Sequence, residues 1–201
     1  MTNLLLNILA PIISYLIGSI PFGYIIARLK GIDVRQHGSG NIGATNVARV
    51  LGKGYGVAVY ILDLTKGFVP VYFASKLFDH PFPMVICGLA AILGHVFPIY
   101  LRFKGGKAVA TSCGVFLWLA PIALLIAVVT WVVIVLCFRF ISLGSIAGAL
   151  ALFIAIIILG SDPFGSGKYL TAFTLLISLI VIIRHKSNIK RLLAGSEPKA
   201  W

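Results

Sequence analysis

Acidic side chains are nearly missing from this sequence: 5 Asp and Glu stand against 17 Lys and Arg in 201 residues, a formal net charge of +12 at pH 7. Charge of either sign is scarce, at 11%, where a soluble domain carries about 25%. With 60% hydrophobic residues and a mean hydropathy of +1.06, this excludes an ordinary soluble domain and points to an integral membrane protein. Linkers are lacking too. No Ser/Pro/Gln-rich tract, low-complexity segment or clear repeat interrupts the apolar runs, so residues 1–201 are expected to form a single membrane-embedded domain. The cysteines, Cys87, Cys113 and Cys137, lie within apolar runs without ligand-like spacing; they read as small buried hydrophobes. No disulfide, metal site or cofactor is expected. The first apolar run lacks a preceding basic region and extends past the length of a signal-peptide core, so it reads as a span and not a cleaved leader.

What the sequence does have is a succession of apolar runs approaching the roughly 20 residues of a membrane span, at Leu4–Leu29, Tyr55–Phe78, Pro83–Phe103, Gly144–Leu159 and Tyr169–Ile183. Between the third and fourth of these, Ala108 to Phe138 is almost uninterruptedly apolar and as one helix would measure roughly 45 Å against a core of about 30 Å. Pro121 is the natural break. With it there are seven segments. An external N-terminus then puts Arg28, Lys30, Arg35, Arg49, Lys53, Arg102, Lys104, Lys107, Arg139, Arg184, Lys186, Lys190, Arg191 and Lys199 inside, leaving only Lys76 and Lys168 outside and Lys66 within a helix. Without the break, Arg139 and the basic residues from Arg184 onward move out. The positive-inside rule therefore predicts an all-α protein of seven transmembrane segments, N-terminus outside and C-terminus cytoplasmic, with a short fourth segment.

In that topology three polar stretches precede helix N-termini on the cytoplasmic side: Gly38–Arg49, Lys104-Gly105-Gly106-Lys107 and Ser142-Leu143-Gly144-Ser145. Free amides and positive dipole ends would face the compartment that holds most of the basic side chains, which suits anions at a membrane surface. Gly38-Ser39-Gly40-Asn41-Ile42-Gly43 spells Gly-x-Gly-x-x-Gly, with Asp63 where a dinucleotide fold has its ribose-binding acid. The fingerprint needs a preceding strand, and here an apolar helix precedes the loop, so that reading is rejected. Lys104–Lys107 lacks the Walker spacing and reads as a phosphate contact or as a topology-setting basic loop.

Asp63 and Lys66, spaced i, i+3 within the second segment, can pair on one helix face and brace the neighbouring loop. His95 reads as a packed, hydrogen-bonded residue beside a kink. Gly18, Ser19, Pro21 and Gly23 permit close helix approach and a bend in the first segment. The tail from His185 to Glu197 is richer than a polybasic lipid anchor requires, because it carries His185, Asn188, Arg191 and, after Gly195, Glu197.

Taken in order, these stretches resemble the bacterial membrane acyl-phosphate:glycerol-3-phosphate acyltransferases, the PlsY type, over essentially the whole chain. The carriers are Gly38 to Asn46, then Gly94-His95 with Phe103-Lys104-Gly105-Gly106-Lys107, then His185 with Asn188, Arg191, Gly195 and Glu197. Ala108 stands where the family usually has glycine. The resemblance implies transfer of a fatty acyl group from acyl phosphate to the sn-1 hydroxyl of glycerol 3-phosphate, giving lysophosphatidate and phosphate, at the cytoplasmic side of the bacterial inner membrane. The His-x-x-x-x-Asp motif of the CoA- or carrier-protein-dependent acyltransferases is absent at all 4 histidines.

On this reading Ser39, Asn41, Thr45, Asn46 and His185 are candidate catalytic residues. Gly38, Gly40, Gly43, Arg49, Lys104, Gly105, Gly106, Lys107, Ser142 and Asn188 are candidates for substrate binding. Asp63, Lys66, His95, Arg191 and Glu197 give structural support. The Ser39–Gly43 amides with Thr45 and Asn46 suit the acyl phosphate; Lys104–Lys107 with Arg49, His185 and Asn188 suit glycerol 3-phosphate. Direct transfer is expected over an acyl-enzyme, because no nucleophile, base and orienting group stand out together. The general base is either His185 or the substrate's own phosphate. Membrane lipid is the surrounding partner, and neither nucleic acid nor an obligate protein partner is expected. The competing class is a transporter or binding protein for a small phosphorylated anion. Such a carrier should centre its polar site near the midplane between repeats, whereas these motifs gather at one surface and no inverted repeat is evident.

Overall fold

A computed structural model describes residues 2–200, and among them there are helices and turns but no strand. The chain forms two compact units, Met1–Trp118 and Leu119–Trp201.

In the first unit, α1 (Thr2–Ser19) passes into α2 (Phe22–Leu29) across a break at Ile20–Pro21, the bend expected from Gly18, Ser19, Pro21 and Gly23. Proline has no amide to continue the ladder. A 3₁₀ turn at Val34–Gln36 and the glycine loop lead to α3 (Ala44–Leu51), a short helix that buries Asn46 and Val47. The sequence reading had no separate helix here. Gly52, at φ 104, makes the turn from α3 into α4 (Lys53–Leu77), a conformation suited to glycine. In α5 (Pro81–Val96) proline occupies the first turn, where its missing amide costs nothing. A second 3₁₀ turn, Ile99–Leu101, leads through the Lys104–Lys107 loop to α6 (Val109–Leu119).

Helix α5 packs against both α1 and α4, and α3 packs against α4. Two glycines set the closest approach: a Cβ on Gly18 would overlap the Ala91 backbone, and one on Gly94 would meet the Tyr15 carbonyl and the Ser19 amide. Backbones this close gain dispersion contacts in a medium that offers helices no hydrophobic reason to associate.

In the second unit, α7 (Pro121–Phe138) begins at the expected break, with Ala120 as N-cap and Pro121 in the first turn. Arg139, at φ 64, ends it, and α8 (Ile141–Leu159) starts almost at once. Ser142, Gly144 and Ser145 therefore lie inside the first turns of α8 and do not form a loop ahead of it. The left-handed Arg139 completes the reversal in two residues and leaves no chain for a loop. After a turn in which Asp162 accepts from the Gly165 and Ser166 amides at 2.9 and 2.7 Å, α9 (Lys168–Arg184) bends by 55° into α10 (Lys186–Leu193).

Among the described residues, five stretches are long and apolar enough to cross a membrane: Leu4–Leu29, Lys53–Leu77, Pro81–Leu101, Pro121–Phe138 and Ile141–Leu159. A sixth is added only if α9 and α10 count together, and α6 is a shorter apolar helix. All seven expected apolar segments are thus helical, and two of them fall short of an independent span. Exposed apolar side chains such as Leu5, Ile8, Ile122, Leu136 and Ile158 cover the outside, while Asn46, Asp63, Lys66 and His95 are buried. That pattern inverts the soluble arrangement and suits a lipid solvent. Cys87 is buried as expected, but Cys113 is half-buried and Cys137 exposed on α7, where an apolar surroundings is supplied by lipid in place of protein.

The glycine contacts give a paired test. Gly94→Ala is expected to lower stability by about 1–3 kcal/mol through overpacking. Gly54→Ala, which has nothing within 4 Å of the added carbon, should be neutral or stabilising by up to about 1 kcal/mol. Thermal midpoints of the two purified variants in detergent check the contrast.

Candidate active site

The glycine loop is organised by one buried amide. Asn46 Oδ1 accepts from the Ser39 amide at 2.8 Å, and its Nδ2 donates to the carbonyls of Val34, His37 and Asn41 at 3.1, 3.0 and 2.8 Å. Its amide is therefore committed to the loop's own backbone. Asn41 Oδ1 accepts from the Gly43 amide at 2.8 Å, a local turn typical of asparagine. Gly38 and Gly40 have φ of 60 and 70, and a Cβ on Gly38 would overlap the Asn46 side-chain oxygen. Outside this hub, Ser39 and Arg49 are exposed and Thr45 is half-buried. Among the described residues Arg49 makes no salt bridge, and neither does Lys104.

A second element under the loop has a weak sequence signal, an aspartate two residues before an arginine in a basic run. Asp33 accepts from Arg35 Nε and Nη2 at 2.9 and 2.7 Å, from the Arg35 amide at 3.1 Å and from Arg28 Nη2 at 2.9 Å. Tyr24 lies under both guanidinium groups, 5.3 and 4.6 Å from ring centroid to Cζ. The Arg35 hydrogen bonds hold the Asp33 carboxyl well below the usual carboxylate range, against the opposing effect of burial.

Lys104–Lys107 forms the other loop of this unit. The Gly106 amide donates to the His95 carbonyl at 3.1 Å. A Cβ on Gly106 would overlap the His95 imidazole, and one on Gly105 would meet the His95 carbonyl and Pro98. Arg102, Phe103 and Ala108 flank the loop at φ 52, 63 and 64. An L side chain there costs on the order of 1 kcal/mol. Ala108, where the resemblance leads one to expect glycine, is buried in that strained state. Lys104 is exposed and Lys107 half-buried.

Behind this loop Asp63 and Lys66 form the expected i, i+3 pair at 2.8 Å, both at most 4% exposed, and His95 Nδ1 lies 3.7 Å from the same Asp63 oxygen. Lys66 Nζ also donates to the Ile20 carbonyl at 2.7 Å.

The second unit gathers Ser142, Asn188, Arg191 and Glu197. Glu197 Oε1 accepts from Ser142 Oγ at 2.6 Å and Asn188 Nδ2 at 2.7 Å, and Oε2 accepts from Arg191 Nε at 2.7 Å. Gly195, at φ 65, turns the chain so that the tail can reach back, and the Ala200 amide donates to the Arg139 carbonyl at 2.8 Å. Burial pushes the Glu197 carboxyl up, but the three donors and the Arg191 charge outweigh it and hold it below its ordinary value. His185, buried at the α9–α10 bend, has Nδ1 2.8 Å from the Val181 carbonyl. A carbonyl only accepts, so Nδ1 carries the proton and Nε2 of the neutral ring holds the lone pair. Among the described residues no group of three or more His, Cys, Asp or Glu could hold a metal ion.

A family model described as glycerol-3-phosphate acyltransferase matches residues 8–195. A glycerol-3-phosphate acyltransferase of Staphylococcus haemolyticus is 48% identical over 200 residues, covering 94% of this chain and 95% of its own. One of Trichlorobacter lovleyi is 49% identical, covering 92% and 93%. Among solved structures, the crystal structure of PlsY (YgiH), an integral membrane glycerol 3-phosphate acyltransferase, superposes in its glycerol 3-phosphate form with a TM-score of 0.91 at 42% identity, over 96% of this chain and 94% of that one. Its lysophosphatidic acid form gives a TM-score of 0.88 at 41% identity.

The lock around Glu197 predicts a pH dependence. A folded pKa below the ordinary glutamate value of about 4.3 makes its stabilisation fully present above that value and lost as pH falls through the lower folded value. Glu197→Gln is expected to cost about 1–3 kcal/mol at pH 7 and to flatten this part of the acid limb. Thermal midpoints of both proteins between pH 7 and pH 3 check it.

Proposed function

The chain belongs to the glycerol-3-phosphate acyltransferase family, and from that premise we propose that it acylates the sn-1 hydroxyl of glycerol 3-phosphate with acyl phosphate as donor, by direct transfer. We propose further that residues 1–201 act as one membrane-embedded domain of seven segments, with the N-terminus outside and the chemistry at the cytoplasmic face of the inner membrane.

The observation that carries the donor reading is the presence of two glycine-rich loops in the first unit, Gly38–Gly43 ahead of α3 and Gly105–Gly106 bracketed by Lys104 and Lys107, with Arg49 in the last turn of α3 kept as an acceptor residue. Two anion cradles match a reaction in which both reactants carry a phosphate. The first loop is assigned to acyl phosphate. Because the Ser39, Gly40 and Gly43 amides are taken by Asn46, His37 and Asn41, the departing phosphate and the developing oxyanion are assigned to the Ser39 and Thr45 hydroxyls with the Asn41 and Ile42 amides, while the Asn41 and Asn46 side chains hold the loop's shape. The second loop is assigned to the glycerol 3-phosphate phosphate group, and His185 and Asn188 of the second unit are proposed separately as acceptor residues. Ser142, Arg191 and Glu197 support Asn188 from behind.

Direct transfer is favoured because Ser39 has no hydrogen bond from its hydroxyl to a base among the described residues, which an acyl-enzyme mechanism would call for. Acyl phosphate is already activated. Positioning the hydroxyl and stabilising charge then suffice for much of the acceleration.

Purified protein supplied with acyl phosphate and glycerol 3-phosphate is expected to release inorganic phosphate and form lysophosphatidate, with no product from acyl-CoA. Product from acyl-CoA alone would overturn the donor assignment. The proton acceptor is read from His185→Gln: turnover within about tenfold of wild type with a raised KM assigns the proton to the substrate phosphate, whereas a loss of about 10²–10⁴ in kcat, with the acid-side limb of the pH profile abolished, assigns it to His185.

A further inference from the structure

Asp63, Lys66 and His95 are more ionisable than their place requires. An ion pair at most 4% exposed pays a desolvation penalty that its attraction often fails to recover, and well-packed apolar residues are frequently as stable or better. Inside a membrane span the cost is higher still. Stability alone does not explain the cluster, so its contacts must.

Those contacts lead in two directions. His95 is the residue on which the Lys104–Lys107 loop rests: its carbonyl takes the Gly106 amide at 3.1 Å, and its ring lies so close to Gly106 that no side chain fits between. Its Nδ1 edge faces Asp63 at 3.7 Å. Lys66, from the other side of Asp63, donates to the Ile20 carbonyl at 2.7 Å and lies 5.7 Å from the Phe22 ring. Ile20 is at the α1–α2 break, where the helical ladder is interrupted; its carbonyl accepts from the Phe22 amide at 3.2 Å, and Lys66 adds the shorter, charged second bond that ties α4 to the break. The helix that leaves this break carries Gly23, whose Cα sits against the Ile42 carbonyl of the glycine loop so closely that a Cβ would overlap it.

We propose that Asp63, Lys66 and His95 are positioning residues, a single buried charge cluster that sets both phosphate loops: His95 the acceptor loop at Lys104–Lys107, and Lys66, through Ile20 and Gly23, the donor loop at Gly38–Gly43. Asp63 joins the two arms by facing both partners with one oxygen. The proposal rests on the assignment of the two loops made above. Its signature is a split in substrate constants, which a role in general stability would not produce.

Steady-state kinetics of His95→Ala and Lys66→Met in detergent test it. His95→Ala is expected to raise the KM for glycerol 3-phosphate about tenfold while the KM for the acyl donor stays within twofold. His95→Asn, whose side-chain amide can occupy the Nδ1 position facing Asp63, should recover part of the loss. Lys66→Met is expected to do the reverse, raising the donor constant and sparing the acceptor. Should Lys66→Met leave Asp63 unpaired and fail to fold, the neutral pair Asp63→Asn/Lys66→Met takes its place and is read the same way. Variants that shift both constants in equal proportion, or neither, overturn the proposal. The thermal shift induced by glycerol 3-phosphate alone, compared between wild type and His95→Ala, needs no acyl donor. A shift present in wild type whose apparent affinity falls about tenfold in His95→Ala supports the His95 arm even if acyl phosphate proves not to be the donor, and an unchanged affinity overturns it.

Discussion

A helix that breaks inside lipid has no water to turn to, and this constraint reaches through the first unit. Pro21 interrupts the ladder between α1 and α2, and the Ile20 carbonyl must find a donor within the protein. The donors are the Phe22 amide and Lys66. Burying that ammonium brings in Asp63, and Asp63 faces His95. One bend in one span thus recruits a lysine from α4 and aligns a histidine from α5, beside the residues on which the Lys104–Lys107 loop is seated. Each step follows from the previous one, because a buried polar group without a partner costs more than the group that satisfies it.

The same economy governs the scarce carboxylates. Asp33 ties Arg28 and Arg35 beneath the glycine loop, Asp63 neutralises Lys66 in the span, Asp162 closes the turn before α9, and Glu197 locks the tail. Four of the 5 acids in the chain are therefore occupied with holding the framework. Arg49 and Lys104, beside the two glycine loops, have no salt bridge among the described residues. An anion arriving there meets positive charge that no internal carboxylate has cancelled.

The features legible in the sequence were those set by local chemistry. Pro121 marked a helix start, Asp63 and Lys66 were three apart on one helix face, and Gly18, Ser19, Pro21 and Gly23 announced a bend. What escaped was set by pairing across distance. Asn46 reaches back 12 residues to Val34, and Ser142 meets Glu197 across 55. No spacing rule connects those positions, so the commitment of the Asn46 amide to the loop backbone and the bond from the Ser142 hydroxyl to the tail are visible only in the fold. Helix α3 was missed because eight residues with one apolar stripe look like loop beside spans three times as long.

Ala108 shows why these loops must be held and not merely permitted. Glycine would adopt its conformation freely, yet an alanine sits there at φ 64, with Arg102 and Phe103 in the same region on the other flank. Such residues persist only where their surroundings over-determine them. Here the surroundings are the His95 carbonyl and ring, Pro98, and the packing that leaves Ala108 1% exposed. A loop strained at both ends and seated on His95 has little conformational freedom left to lose. With the Gly106 amide held by the His95 carbonyl and the Lys104 amide by that of Leu101, the ordering cost that a flexible glycine loop would pay has to that extent been met in folding.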